Sequence, residues 1–278
     1  VSYKRVLTIQ DISCFGQCSL TVALPIISAC GHETVILPSA VLSTHTAGFT
    51  GFTVRDLSAD IPAISAHWEK EGIDFDAFYT GYLGSSEQID YVLDIFKRNG
   101  RENSVKIVDP AMADGGKLYP AFDENYVKEM KRLSFSADII LPNITEACFL
   151  TGYEYRENYD EEYIKGLISA LQKNGAKTVV LTGVGYTPDT TGVCVYKDGK
   201  LSYYKHEKLA RSCHGTGDVY ASAFVGAYLN GKDEIAAAKI AADYTVLCMK
   251  KTADDLSHTY GVKFEKAIPD LIKMLDLG

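Results

Sequence analysis

Val105-Lys106-Ile107-Val108-Asp109, then Glu124-Asn125-Tyr126-Val127-Lys128-Glu129-Met130-Lys131-Arg132-Leu133, then Asp138-Ile139-Ile140-Leu141, and after Pro142 the run Asn143-Ile144-Thr145-Glu146-Ala147-Cys148-Phe149-Leu150, decide the fold. The first and third pieces are short, β-branched and apolar, as buried strands are; the second is a segment of helical period. Together they read as strand, helix, strand, helix. Working outward, the same alternation fills the chain. Strands are expected at 6–10, 34–37, 77–80, 105–109, 138–141 and 178–182, with a hairpin of 192–196 and 201–206 turning at Asp198-Gly199. Helices are expected at 19–30, 61–70, 87–97, 124–133, 144–150, 161–173, 219–229 and 234–250. Repeated strand–helix units imply an α/β fold with a mostly parallel central sheet and helices on both faces. No Ser/Gly/Pro-rich linker or low-complexity tract divides the 278 residues, so 1–278 is expected to form a single domain.

Composition narrows the partners. Lys and Arg number 28 against 36 Asp and Glu, a formal charge of −8 with no basic cluster, which argues against a nucleic-acid backbone or an anionic membrane as partner. Residues 12–32 carry no Asp, Glu, Lys or Arg, but Gly16, Gln17, Ser19, Thr21, Pro25 and Ser28 interrupt them, as suits a buried helix better than a membrane span. The apolar run after Lys4-Arg5 breaks at Gln10-Asp11, too early for a signal peptide. Seven scattered cysteines without CxxC spacing read as reduced thiols of a cytoplasmic protein.

Ligands of open parallel sheets collect at the carboxyl ends of the strands. Just past those ends stand Asp11, Gly81-Tyr82, Asp109, Asp114, Asn143, Glu146 and Thr182-Gly183. The sharpest motif is His214-Gly215-Thr216-Gly217-Asp218, which runs straight into the apolar helix at 219–229. Its two glycines let successive N–H groups converge as an anion nest at a helix start, where the dipole also favours negative charge. Asp218 in the first turn is placed to take a proton from a hydroxyl attacking a phosphoryl group. It is equally a favourable first-turn charge, and spacing alone does not separate the two. Asn143-Ile144-Thr145-Glu146 likewise fits a capping box as well as a site. Asp109, Asp114 and Glu146 near one sheet edge would repel one another unless a hard cation, most simply Mg²⁺ with its waters, sat among them, which points to a metal–nucleotide site. Asp114-Gly115-Gly116-Lys117 reads as a mobile loop or a plain turn, and His45 as a satisfied loop histidine. No GxGxxG follows the first strand, and no HExxH or Cys/His zinc spacing occurs.

Gln10-Asp11, Ser43-Thr44-His45-Thr46, Thr80-Gly81-Tyr82-Leu83-Gly84-Ser85, Asp109-Pro110-Ala111-Met112-Ala113-Asp114, Pro142-Asn143-Ile144-Thr145-Glu146 and Gly215-Thr216-Gly217-Asp218 follow one another in the order seen in pyridoxal kinases of the ribokinase-like superfamily. The chain resembles that family over nearly its whole length. The resemblance implies one ribokinase-like domain without a separate β lid, a homodimer, and ATP-dependent phosphorylation of the vitamin B6 hydroxymethyl group. It implies that Asp218 is the catalytic base and Gly215, Thr216 and Gly217 the anion hole. Asp109, Asp114, Asn143 and Glu146 would organise Mg²⁺ and the ATP phosphates, with Thr182 touching the nucleotide. Asp11, Cys18, His45, Thr46 and Tyr82 would line the pyridine pocket, and Gly115-Gly116 would belong to a flap over ATP.

Three positions depart from the family pattern. Asp11 stands where many pyridoxal kinases have Ser, which opens the ranking of pyridoxal, pyridoxine and pyridoxamine. Leu141 stands where some relatives have a Thr near a monovalent cation, and Ala113 replaces a usual Gly, which opens the question of a K⁺ requirement. The nearest rival reading is a hydroxymethylpyrimidine/phosphomethylpyrimidine kinase of thiamine synthesis, which shares the Gly-Thr-Gly loop but typically follows it with Cys. A third is a non-catalytic nucleotide- or pyridoxal-phosphate-binding module.

Overall fold

Chain order explains the sheet. The structure, a computed structural model, describes residues 3–211 and 213–277. β1 (Arg5–Ser13) leads through α1 (Leu20–Ala29) to β2 (Glu33–Leu42), followed by the edge strand β3 (Val54–Asp56) and α2 (Ile61–Lys70). The chain then crosses to the other side of β1 with β4 (Phe75–Thr80), α3 (Ser86–Arg98) and β5 (Gly100–Val108). A small hairpin of β6 (Ala113–Asp114) and β7 (Lys117–Leu118) precedes α4 (Glu124–Ser136), β8 (Ile139–Ile140), α5 (Ile144–Thr151), α6 (Glu161–Lys173) and β9 (Thr178–Thr182). β10 (Thr190–Lys197) and β11 (Lys200–Glu207) form the second hairpin, and α7 (Thr216–Leu229), α8 (Glu234–Ala253) and α9 (Ile268–Met274) complete the chain.

Among the described residues the strands pair in the order β11-β10-β9-β8-β5-β4-β1-β2-β3, parallel from β9 to β2 and antiparallel at both edges. β1 lies where the winding reverses, with β2 on one flank and β4 on the other. Crevices at such switch points bind ligands in open α/β sheets.

Side chains alternate across the sheet and divide the core in two. Val6, Ala77, Tyr79, Ile107, Ile139 and Val180 pack with α1, α7 and α8. Leu7, Ile9, Phe78, Val108, Ile140 and Leu181 pack under α3 to α6. Strands covered on both faces read as continuous apolar runs, which is why the sequence shows runs and not alternation. Side-chain caps at Ser85, Asp123, Asn143, Asp160 and Asp233 start α3, α4, α5, α6 and α8, each accepting from a first-turn N–H.

The expected strands and helices are all present. The sequence reading omits β3, the β6–β7 hairpin and α9, which are short. β8 is shorter than expected, because the Asp138 side chain accepts from the Lys106 N–H at 2.9 Å just before it and Pro142 follows it. Among the described residues no helix is long and apolar enough to cross a membrane.

Candidate active site

Strand ends and helix starts at one edge of the sheet make the site. At the start of α7, Gly215 caps the helix in the left-handed region (φ 73°), and a Cβ there would lie 2.4 Å from the Gln17 carbonyl oxygen. Only glycine fits both demands. The Thr216 hydroxyl donates to the Cys213 carbonyl at 3.2 Å, fixing the turn. A helix start leaves its first N–H groups without intrahelical partners, so the Gly215-Thr216-Gly217 backbone presents donors beside Asp218.

Asp218 shares this end of the sheet with Asp11. Burial pushes the Asp218 carboxyl up to about 7, the Asp11 anion adds to the rise, and the Ser19 N–H and the Cys18 thiol oppose it. Asp11 lies at a register shift of β1, where Gln10 pairs with Pro38 but Ile12 with Val41. An irregularity of this kind re-aims a side chain next to a site. The Ser13 hydroxyl donates to Asp11 Oδ2 at 2.9 Å. Ile12 bridges Ser19, which brings the end of β1 against the start of α1. Burial raises the Asp11 carboxyl, the Tyr82 phenol and the Cys18 thiol, and the Asp11 charge adds to the rise of the last two, with Asp218 adding to that of Cys18.

His45 forms another wall. Its main-chain N–H donates to the Phe15 carbonyl at 3.2 Å, and its Nδ1 accepts from the Ala47 N–H at 3.2 Å. Nε2 therefore carries the proton and donates to the Tyr260 carbonyl at 2.9 Å. The reading of His45 as a satisfied loop histidine holds in hydrogen-bond terms, yet its ring also lies 5.5 Å from that of His214, at the mouth of the nest. Thr46, by contrast, is exposed. Phe15, Phe49 and Tyr260 pack as an aromatic cluster on the same side. Tyr260 belongs to the segment after α8, and no motif in the sequence marks it.

The second half of the site lies at the ends of β5, β8 and β9. Asp109 follows β5, and its Oδ1 accepts from the Ala111 N–H at 3.2 Å. Burial, Glu146 and Asp218 all push the Asp109 carboxyl upward. Glu146 is buried, and burial raises it against the N–H groups of Asn143, Met112 and Ala113. The Asn143-to-Glu146 capping box is formed in full, at 2.9 Å in both directions. The cap reading is thus correct, and the other Glu146 oxygen accepts from Met112 N at 3.2 Å. Asn143 Nδ2 donates to the Ala113 carbonyl at 2.8 Å, and the Gly116 N–H donates to Thr145 Oγ1 at 3.0 Å. These two bonds fasten the β6–β7 hairpin to the start of α5. Thr182, at the end of β9, bridges Asn143.

Asp114 is exposed at the end of β6, its Oδ1 accepting from Gly115 N at 2.8 Å. Among the described residues no three His, Cys, Asp or Glu side chains form a group that holds a metal ion by itself. With both Glu146 oxygens engaged by N–H groups, a cation between Asp109 and Glu146 would be reached through water, the habit of Mg²⁺. Leu141 is a buried apolar side chain and offers no oxygen. The seven cysteines are free.

A helix-start anion nest, a carboxylate beside it and a second carboxylate pair across the crevice suit transfer of a phosphoryl group to a small hydroxyl compound. The family model for phosphomethylpyrimidine kinase matches residues 24–262. The chain belongs to the phosphomethylpyrimidine kinase family. Solved structures similar to this chain carry two descriptions. Lactobacillus plantarum pyridoxal kinase superposes with a TM-score of 0.91, at 30% identity, over 98% of each chain. A Bacteroides thetaiotaomicron structure described as a phosphomethylpyrimidine kinase superposes with a TM-score of 0.93 at 34% identity, over 98% of this chain and 94% of that one; another crystal form of it contains pyridoxal. A hydroxymethylpyrimidine/phosphomethylpyrimidine kinase of Aquifex aeolicus is 35% identical over 117 residues, 41% of this chain and 44% of its own. The pyridoxal kinase-like, ribokinase-superfamily assignment therefore stands, and the protein is an ATP-dependent small-molecule kinase.

Proposed function

We propose that this kinase transfers the γ-phosphoryl group of ATP to the hydroxymethyl group of a vitamin B6 vitamer, giving the 5′-phosphate and ADP. One observation carries the reading: Asp218, with its carboxyl raised to about 7, stands behind the Gly215–Gly217 nest and beside the pocket of Asp11, Cys18, His45 and Tyr82. A base tuned near neutrality is half ionised at working pH and still strong enough to accept a proton. The substrate hydroxyl gives its proton to Asp218 as its oxygen bonds to the γ-phosphorus. The bond from that phosphorus to the β–γ bridging oxygen breaks, and ADP departs. The nest N–H groups meet the charge on the transferring group.

Asp109 and Glu146 fit a water-shelled Mg²⁺ on ATP, since burial raises both carboxyls and the Glu146 charge adds to the rise of Asp109, as a bound cation would offset. Mg²⁺ held there would neutralise phosphate charge. In this reading Asn143 and Thr182, bridged at the ends of β8 and β9, flank the phosphates and the nucleotide, and the hairpin carrying Gly115-Gly116, tied to the start of α5, covers them and excludes water. Homodimerisation and a cytoplasmic location belong to the same proposal, resting on the resemblance to pyridoxal kinases.

The second reading, phosphorylation of hydroxymethylpyrimidine or its phosphate, is favoured by the family model and by the Aquifex relative. Asp218 after Gly-Thr-Gly favours the B6 reading. Side-by-side turnover of the B6 vitamers and hydroxymethylpyrimidine tests the choice: preferential B6 turnover is expected, and a pyrimidine preference would move the substrate without moving the site.

A further inference from the structure

The turn between β1 and α1 holds a conformation that its residues do not favour. Gln17 and Ser19 both stand at φ 54°, in the left-handed region, though neither is glycine. Such a backbone persists only where the contacts around it over-determine it. The start of α7 rests on this turn. The Gln17 carbonyl oxygen lies 2.4 Å, and the Cys18 sulfur 3.3 Å, from where a Cβ on Gly215 would stand. The Cys18 thiol and the Ser19 N–H face the Asp218 carboxyl.

What fixes the turn comes from the far end of the chain. Gln17 Nε2 donates to Glu265 Oε1 at 2.5 Å, and Gln17 Oε1 accepts from His258 Nε2 at 3.1 Å. Both ends of the amide are therefore used. Gln17 and Glu265 are 248 residues apart, so no local preference produces the contact. Gly261 lies so close that a Cβ there would meet Gln17 Oε1 at 2.8 Å and the Gln17 Cβ at 2.9 Å. The segment that supplies these partners is itself tied down. Arg211, just ahead of the nest, donates to the Asp255 and His258 carbonyls at 2.9 and 2.7 Å, and Lys263 pairs with Asp255 at 2.5 Å. The Tyr260 ring packs on Phe15 with centroids 4.5 Å apart.

We propose that Gln17 is a positioning residue for phosphoryl transfer: its amide, clamped between His258 and Glu265, holds the strained turn so that the turn's backbone seats Gly215 and the Cys18-Ser19 pair seats Asp218. Gln17 acts through the nest and the base, not on the reacting atoms. The inference rests on the reading of Asp218 as base and of residues 215–217 as the anion hole.

The test compares wild type, Gln17→Ala, Glu265→Ala and the double variant in ADP release from Mg²⁺·ATP with the B6 vitamers, with thermal melts to verify folding. Glu265 is exposed, so its truncation releases the clamp without opening the core. In each single variant kcat is expected to fall about tenfold while KM for both substrates stays within about twofold. The double variant falls no further than Gln17→Ala, because both changes remove one bond. The acidic limb of kcat/KM moves up by about half a pH unit, since the Ser19 N–H and the Cys18 thiol hold the Asp218 carboxyl down against burial and the Asp11 charge. A loss of folded protein alone would leave that limb in place. A kcat within about twofold of wild type, a limb that does not move, or losses that multiply in the double variant overturn the proposal, and where Gln17→Ala does not fold, Glu265→Ala decides by the first two. Absence of ADP release from wild type with every substrate strikes the proposed function instead. Hydrogen exchange then decides the positioning: amides of 213–219 exchanging about tenfold faster in Glu265→Ala, with remote segments unchanged, support it, and equal exchange overturns it.

Discussion

At the scale of single residues, the base proposed here, Asp218, is held at a cost to stability. Its carboxyl is raised from 3.8 to about 7, so the folded state resists its ionisation. Below pH 3.8 the group is protonated folded or unfolded, and as pH rises through about 7 the folded state loses stability relative to the unfolded chain. Asp218→Asn is therefore expected to raise Tm by roughly 3–6 °C at pH 8, the gain shrinking toward pH 4, as calorimetry across pH would show. The same substitution lowers kcat by about 10³-fold or more, and the acidic limb of wild-type kcat/KM is expected near pH 7. Gly215→Ala meets both a left-handed φ of 73° and the Gln17 carbonyl oxygen. It is expected to cost about 1–3 kcal/mol in denaturant melts and about 10²-fold in kcat. Asp218 and the glycines were legible as a motif, because a helix start has few ways to present N–H groups to an anion. The raised carboxyl was not, since it depends on Asp11 and on burial contributed by distant segments.

Elements position these residues through a few bonds that a sequence shows only in part. The Asn143–Glu146 box starts α5, and the same Asn143 side chain holds Ala113 of the β6–β7 hairpin. Asn143→Ala is expected to cost about 1–2 kcal/mol, measured by urea unfolding, and to loosen the hairpin as well as the helix. Glu146→Gln separates cap from site. A Gln side chain keeps one acceptor for the box but removes the charge, so the Mg²⁺ titration of activity is expected to shift to higher concentration by about tenfold. A titration that overlays wild type would make Glu146 a cap alone. The capping pattern was readable from spacing, as local interactions are. The hairpin of two-residue strands was not, because elements that short are set by their partners: Gly116 N bonds Thr145 Oγ1, far along the chain. The register shift at Asp11 was also hidden, since it exists only in the pairing of β1 with β2.

For the whole molecule, the alternation of strands and helices made the α/β class legible, and the two-sided burial of β1, β4 and β5 explains why it could be read so plainly. The strand order sets the end of β4, with Tyr82, between the end of β1, with Asp11, and the end of β5, with Asp109. The walls from Tyr260 and Phe49 escaped the sequence reading, because aromatic residues in loops carry no periodic signal. α7 is anchored far from the chemistry: Phe224 is fully buried between the sheet, α1 and α8. Phe224→Ala is expected to lower unfolding free energy by about 3–5 kcal/mol while leaving the acidic limb of the pH profile in place. The account as a whole turns on phosphoryl transfer by Asp218. The measurement that tests it most directly is ADP release from Mg²⁺·ATP with pyridoxal, pyridoxine, pyridoxamine and hydroxymethylpyrimidine, run on wild type and Asp218→Asn together. Turnover of a B6 vitamer that collapses in the variant is the predicted result, and turnover that survives the substitution undiminished would contradict it.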